Sequence, residues 1–133
     1  HHLRMKVRPD YIPADRIIVD LKTSAQDIDQ ASFEKSAYDK HYHWSAGLTL
    51  RGMNLATGNP HRVYIFVVVE VNEPHEVGVY RATEEMIALG KMETMETMGR
   101  LAWCDMTGTW PGIPNRIQQV GLPPWAYKKL NRG

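Results

Sequence analysis

Apolar and polar positions along the 133-residue chain follow two periods, one of two residues and one close to 3.6. Residues 3–7 alternate apolar and basic side chains, as a half-buried strand does. Pro9 ends regular pairing, and Pro13 with Asp15 marks a turn. Residues 16–21 (R-I-I-V-D-L) read as a continuous apolar strand with one acid set into it, so the first two strands predict a hairpin closed by the 11–15 loop. After Thr23 the period lengthens. Phe33, Ala37, Tyr38 and Tyr42 recur at helical spacing behind a cap at Asp27 or Asp29. That helix is expected to continue through residues 43–50 and stop near Gly52 or Gly58, ahead of a Gly58-Asn59-Pro60 loop. Residues 63–71 form the strongest strand signal, a β-branched run that predicts burial on both faces. A turn at 72–75 leads into a strand at 76–82, expected antiparallel to it. Thr83 with Glu84 and Glu85 starts a helix that runs to about Cys104. From Thr107 the chain carries four prolines with Trp110 and Trp125, which predicts an irregular tail docked by its rings and ending in a short helical turn.

The resulting order, β-β-α-β-β-α plus a tail, is mixed α/β in a single domain spanning 1–133. A 43% hydrophobic and 23% charged composition is that of an ordinary globular domain. The longest apolar run, 63–69, falls far short of the roughly 20 residues a membrane-spanning helix needs, so no membrane partner is expected. The single cysteine, Cys104, excludes an internal disulfide and a multi-cysteine zinc site and fits a reducing cytoplasm. A net charge of +1 argues weakly against a passive DNA-coating protein and hardly at all against an enzyme, whose metal-binding acids offset a basic groove. No basic and apolar leader opens the chain, so export is not expected. His1 and His2 have the character of a purification-tag remnant, and the mid-sheet character of residue 3 onward leads us to expect that more protein precedes it.

Chemistry concentrates in R-P-D at residues 8–10 and V-D-L-K at residues 19–22. Asp20 and Lys22 are two apart on a strand, so their side chains leave from one face. Asp10, at the end of the adjacent extended segment, can reach that face. Two carboxylates offer hard oxygen donors suited to Mg²⁺ or Mn²⁺, and such ions bind phosphate oxygens while retaining water. A lysine beside them can position an attacking water or stabilise charge on a phosphoryl group. Taken alone, D-x-K is usually a surface ion pair. The apolar I-I-V before this acid changes that reading, because a carboxylate taken into apolar surroundings needs a partner or an ion.

The run K-V-R-P-D-Y-I, then I-I-V-D-L-K-T, then S-F-E-K-S-A-Y-D-K-H-Y-H resembles the C-terminal nuclease domain of RecE-type exonucleases (exonuclease VIII), of the PD-(D/E)XK superfamily. The similarity continues through I-F-V-V-V-E-V-N-E-P, V-G-V-Y, C-D-M-T-G-T-W-P-G and L-P-P-W-A, in order along nearly the whole chain. It implies a restriction-endonuclease-like central mixed sheet flanked by helices. It also implies a Mg²⁺-dependent exonuclease that digests one strand of linear duplex DNA from its ends, in phage-type recombination. On the family pattern Asp10, Asp20 and the backbone carbonyl of Leu21 hold the metal, and Lys22 is the catalytic lysine. Arg8, His43, Ser45 and Thr49 fall where DNA is contacted. The resemblance further implies a RecT-like single-strand annealing partner and a ring-shaped homo-oligomer. Two departures stand out. Ser45 and Thr49 occupy positions that usually carry glutamine and tyrosine, and the family's first helix and strand, with an upstream histidine or acidic ligand, have no counterpart here. Alternatives are a catalytically impaired DNA-end-binding or assembly domain of the same fold, or another superfamily nuclease such as a Cas4-like enzyme.

Other residues read more simply. His41 and His43 are two apart on an expected helix and so diverge, which makes a joint metal site a poor expectation. Met86, Met92, Met95 and Met98 fall near one helical face as core filler, with a subunit interface as the alternative. Trp103, Trp110 and Trp125 read as anchors for the tail rather than base-stacking platforms. Cys104 reads as a small buried hydrophobe. Arg4, Lys6, Lys35, Lys40 and Arg51 read as solvated surface charge that becomes a phosphate track only if clustered near Asp10 and Asp20.

Overall fold

The structure, a computed structural model, describes residues 3–14 and 16–132. His1 and His2 lie outside the described residues, as does Asp15 of the expected 11–15 turn. Among the described residues, seven elements follow in order: β1 (Ile17–Ser24), α1 (Gln30–Asp39), α2 (Tyr42–Thr57), β2 (Val63–Glu70), β3 (Val77–Arg81), α3 (Glu84–Thr107) and a 3₁₀ turn (Pro124–Tyr127). The sheet runs β1-β2-β3. β1 and β2 pair in parallel, with Asp20 opposite Phe66, while β2 and β3 pair antiparallel, with Phe66 opposite Tyr80. A parallel pair needs a crossover, and α1 with α2 supplies it.

One sheet face carries the core. Ile18, Tyr64, Phe66 and Val68 are buried there beneath Phe33, Ala46, Leu50 and Ile87 from the three helices. Phe33 joins the layers, its ring stacked on Tyr80 at 5.1 Å and edge-on to Phe66 at 5.5 Å. The other face holds Leu21, Val67 and Val79 in one row; Leu21 is 57% and Val79 65% exposed. The expected burial of β2 on both faces is therefore met on one: Tyr64, Phe66 and Val68 are buried, while Val63, Ile65, Val67 and Val69 are half-buried.

Three further expectations are corrected. Residues 3–7 form no strand. The segment is extended, with Val7 lying against Gly52 of α2, and its hairpin with β1 reduces to a single antiparallel bridge between Tyr11 and Val19. Pro9 removes a donor and interrupts the ladder. The long helix splits in two at His41, whose backbone turns left-handed at φ 55°; Asp29 caps α1 by accepting from the Ser32 backbone N–H at 3.1 Å, and Gly58 closes α2. The tail meets α3 at its start, where Trp110 and Pro111 share a cleft with Trp103 and Cys104. Trp110 stays 61% and Trp125 70% exposed, so neither ring acts as a buried anchor. Of the four methionines, Met86 packs on the core, whereas Met92 and Met95 face solvent.

α2 and α3 cross in close contact. A Cβ built on Gly90 would stand 1.8 Å from the His43 carbonyl oxygen, and one on Gly47 would stand 2.4 Å from the Lys91 nitrogen. Only glycine permits backbones to approach this far.

Candidate active site

β1 presents Asp20 and Lys22 on the core-facing side of the sheet near its edge, where burial falls away. Asp20 is 7% exposed; its Oδ2 accepts from the Tyr64 hydroxyl at 2.8 Å and pairs with the Lys22 ammonium at 3.3 Å. The Lys22 ammonium also lies 4.5 Å from the centre of the Tyr42 ring, at the first turn of α2. Lys22 is thus held between an acid and a π-face, a placement that fixes the position of its charge.

Asp10 arrives by a different route than a strand ladder. The Tyr11–Val19 bridge brings the extended segment alongside β1, and Asp10 Oδ2 accepts the Leu21 backbone N–H at 2.9 Å. That N–H is the main reason the Asp10 carboxyl sits below the usual carboxylate range; Asp20, Lys22 and Arg8 contribute further. Asp20 is pushed the other way, chiefly by burial and then by its contact with the Asp10 carboxyl, against the opposing help of Tyr64 and Lys22. Burial and the adjacent carboxylate also push the Tyr64 hydroxyl well above its ordinary range, so it remains a donor to Asp20.

Asp10, Asp20 and Lys22 therefore converge, as the sequence predicts. Two neighbouring carboxylates, with Lys22 beside Asp20 and Arg8 near Asp10, gather hard oxygen donors at one place. This donor set fits a divalent cation such as Mg²⁺ or Mn²⁺. In its absence the buried charge is a cost. With the folded pKa of Asp20 raised above 3.8, its contribution to stability is fully present below about pH 3.8 and is lost as pH rises through the folded value. Replacing Asp20 with asparagine should then raise the stability of the metal-free protein near pH 7 by ~1 kcal/mol, a gain that vanishes at low pH. Urea unfolding at the two pH values checks this.

The remaining expected site residues divide. Arg8 is exposed beside Asp10. Thr49 is half-buried on α2, near the Tyr64 hydroxyl that donates to Asp20. Ser45 is half-buried on α2. His43 does not serve as a DNA contact: it is 5% exposed, and its Nε2 meets Glu93 Oε2 at 2.9 Å on α3. Tyr64 and Tyr42 are parts of the site that the sequence hides, because Tyr64 reads as core in an apolar strand and Tyr42 as the apolar face of a helix. Two clefts, one lined by Phe33, Tyr80, Thr83 and Met86 and one by Trp103 and Trp110, exclude Asp10, Asp20 and Lys22. Asp10 is exposed, Lys22 half-buried and Asp20 buried, so the group runs from solvent into the edge of the core.

Residues 1–121 match the profile of a family described as a PDDEXK-like domain of unknown function (DUF3799). No curated protein matches the chain. Among solved structures, the chain is similar to a protein from Eubacterium rectale described as a "putative exonuclease", with a TM-score of 0.61 and 14% identity. The alignment covers 89% of this chain and 48% of that one, so the chain spans about half the length of that protein. At this identity the likeness is one of fold.

Proposed function

Because the chain belongs to the PDDEXK-like family DUF3799, within the PD-(D/E)XK superfamily, we propose that it is a metal-dependent nuclease acting on the ends of linear duplex DNA, as RecE-type exonucleases do. The observation that carries this reading is the convergence of Asp10, Asp20 and Lys22, with Lys22 held 3.3 Å from Asp20 and over Tyr42. Asp10 and Asp20, with the Leu21 carbonyl, hold Mg²⁺ or Mn²⁺. When bound, the ion lowers the pKa of a water and offsets charge on the leaving oxygen.

The chain's own residues do the positioning. The Leu21 N–H fixes one Asp10 oxygen and so orients the carboxylate. The Tyr64 hydroxyl fixes one Asp20 oxygen in the same way. Lys22 donates to a phosphate oxygen or to the attacking water, with its ammonium aimed before substrate arrives, so little reorganisation is needed as charge develops. In this reading Arg8, exposed beside Asp10, and Ser45 on α2 contact the DNA backbone. Assembly into a ring and an annealing protein as partner belong to the same reading.

Incubation with Mg²⁺ and either linear or covalently closed circular duplex DNA tests it. Nucleotides should be released from the linear form alone, and Asp20→Ala should release none. Equal digestion by Asp20→Ala would contradict the assignment. DNA-end binding without digestion by the parent protein would favour a non-cutting domain.

A further inference from the structure

A second cluster of ligand groups lies where α2 begins. We propose that His41, His43 and Glu93 form a binding site for a borderline transition-metal ion of the Zn²⁺ class, distinct from the oxygen-only site at Asp10 and Asp20. One ligand atom from each residue falls within 4.8 Å of the other two.

Helical spacing alone would send His41 and His43 apart. They meet because His41 is not helical: at φ 55° it ends the α1–α2 turn, which brings the two rings to 5.7 Å between centroids. Glu93 is delivered by the close helix crossing at Gly47 and Gly90, which sets α3 directly against the His43 backbone. Two of the three ligands thus stand on backbones that cannot slide.

The plain alternative is a hydrogen-bonded pair, His43 to Glu93 at 2.9 Å, with Trp44 Nε1 also donating to the same carboxylate oxygen. That pair explains His43 and Glu93 but assigns nothing to His41, which is exposed with its ring tilted against Trp44 at 4.9 Å. Tetrahedral zinc with bonds near 2.0–2.1 Å places its ligand atoms about 3.3 Å apart. The 2.9 Å contact need open by only a few tenths of an ångström, and the His41 ligand atom already lies within 4.8 Å of the other two. Trp44 then serves as the outer hydrogen-bond donor that orients the carboxylate, a common feature of metal sites. Exposure of His41 leaves the fourth position to solvent.

The donor types sort the ions. Two imidazoles and one carboxylate favour Zn²⁺ over Mg²⁺, whereas Asp10 and Asp20 favour Mg²⁺. The two sites flank Tyr42, whose ring carries Lys22.

The test uses the full chain with His1→Ala and His2→Ala, which removes the N-terminal imidazoles. Zn²⁺ is titrated by calorimetry in excess Mg²⁺, and Co²⁺ by visible absorption. We expect one Zn²⁺ per chain and a Co²⁺ spectrum of low coordination number. His41→Asn, whose asparagine tolerates the left-handed backbone, and Glu93→Gln should each weaken binding at least ~10-fold. Asp20→Ala should leave it unchanged. Undiminished binding in His41→Asn, loss of binding in Asp20→Ala, or no Zn²⁺ binding by the parent would overturn the proposal. The Asp20 arm separates this outcome from failure of the nuclease reading.

Discussion

Lys22→Ala should lower phosphodiester hydrolysis by roughly 10²–10³-fold, the loss typical when one preorganised donor at a developing charge is removed. The fold should survive, because Lys22 is half-buried at the end of β1 and the core beneath it is made by Ile18, Phe66 and Val68. Divalent-cation binding should also survive, since Asp10 keeps the Leu21 N–H and Asp20 keeps the Tyr64 hydroxyl. Single-turnover rates with saturating DNA, measured beside metal affinity, separate the two effects. A fall in metal affinity equal to the fall in rate would move Lys22 from chemistry to site assembly. Lys22→Arg should not restore the parent rate, because a planar guanidinium cannot occupy the point between Asp20 and the Tyr42 ring as an ammonium does.

The second large effect is structural. Gly90→Ala should destabilise the fold by about 3 kcal/mol or more, at or beyond the upper end of overpacking penalties. The added carbon would meet the His43 carbonyl oxygen at 1.8 Å and its carbon at 2.6 Å. Both are backbone, so no side chain can turn aside and the helices must separate. Gly99 makes the control. It lies on the same helix with nothing near its would-be Cβ, and Gly99→Ala should stabilise by ~0.5–1 kcal/mol through helix propensity alone. Denaturant midpoints for the two variants should move in opposite directions. Similar shifts would mean that α2 and α3 do not meet at Gly90.

How much of this was legible beforehand depends on what each signal measures. The apolar runs that became β1 and β2 are strong because β-branched residues and burial act together there, and Thr83 with two following acids marked the start of α3 to the residue. Asp20 and Lys22 were placed on one face by strand geometry alone. Asp10 was placed near them correctly but for the wrong reason: alternation in residues 3–7 shows an extended segment, not that it finds a ladder partner. What fixes Asp10 is one bridge and one side-chain bond to Leu21, neither of which has a periodic signature. The His41 break was invisible for a similar reason. A left-handed histidine in a polar stretch carries no glycine or proline to announce it, and the ligand cluster with Glu93 depends on both that break and a helix crossing 50 residues away in sequence. The tail misled because proline and tryptophan content speaks to irregularity and to amphipathic surface, and not to whether a partner surface exists for the rings.

The chain belongs to a PDDEXK-like family, and the proposed nuclease function requires that Asp10 and Asp20 form one divalent-cation site that Lys22 overlooks. The most direct test is Mn²⁺ binding followed by electron paramagnetic resonance, counting only the Mn²⁺ that Mg²⁺ displaces. We predict one such ion for the parent chain, with affinity at least ~10-fold weaker in both Asp10→Asn and Asp20→Asn. Parent-like binding in either variant would contradict the claim.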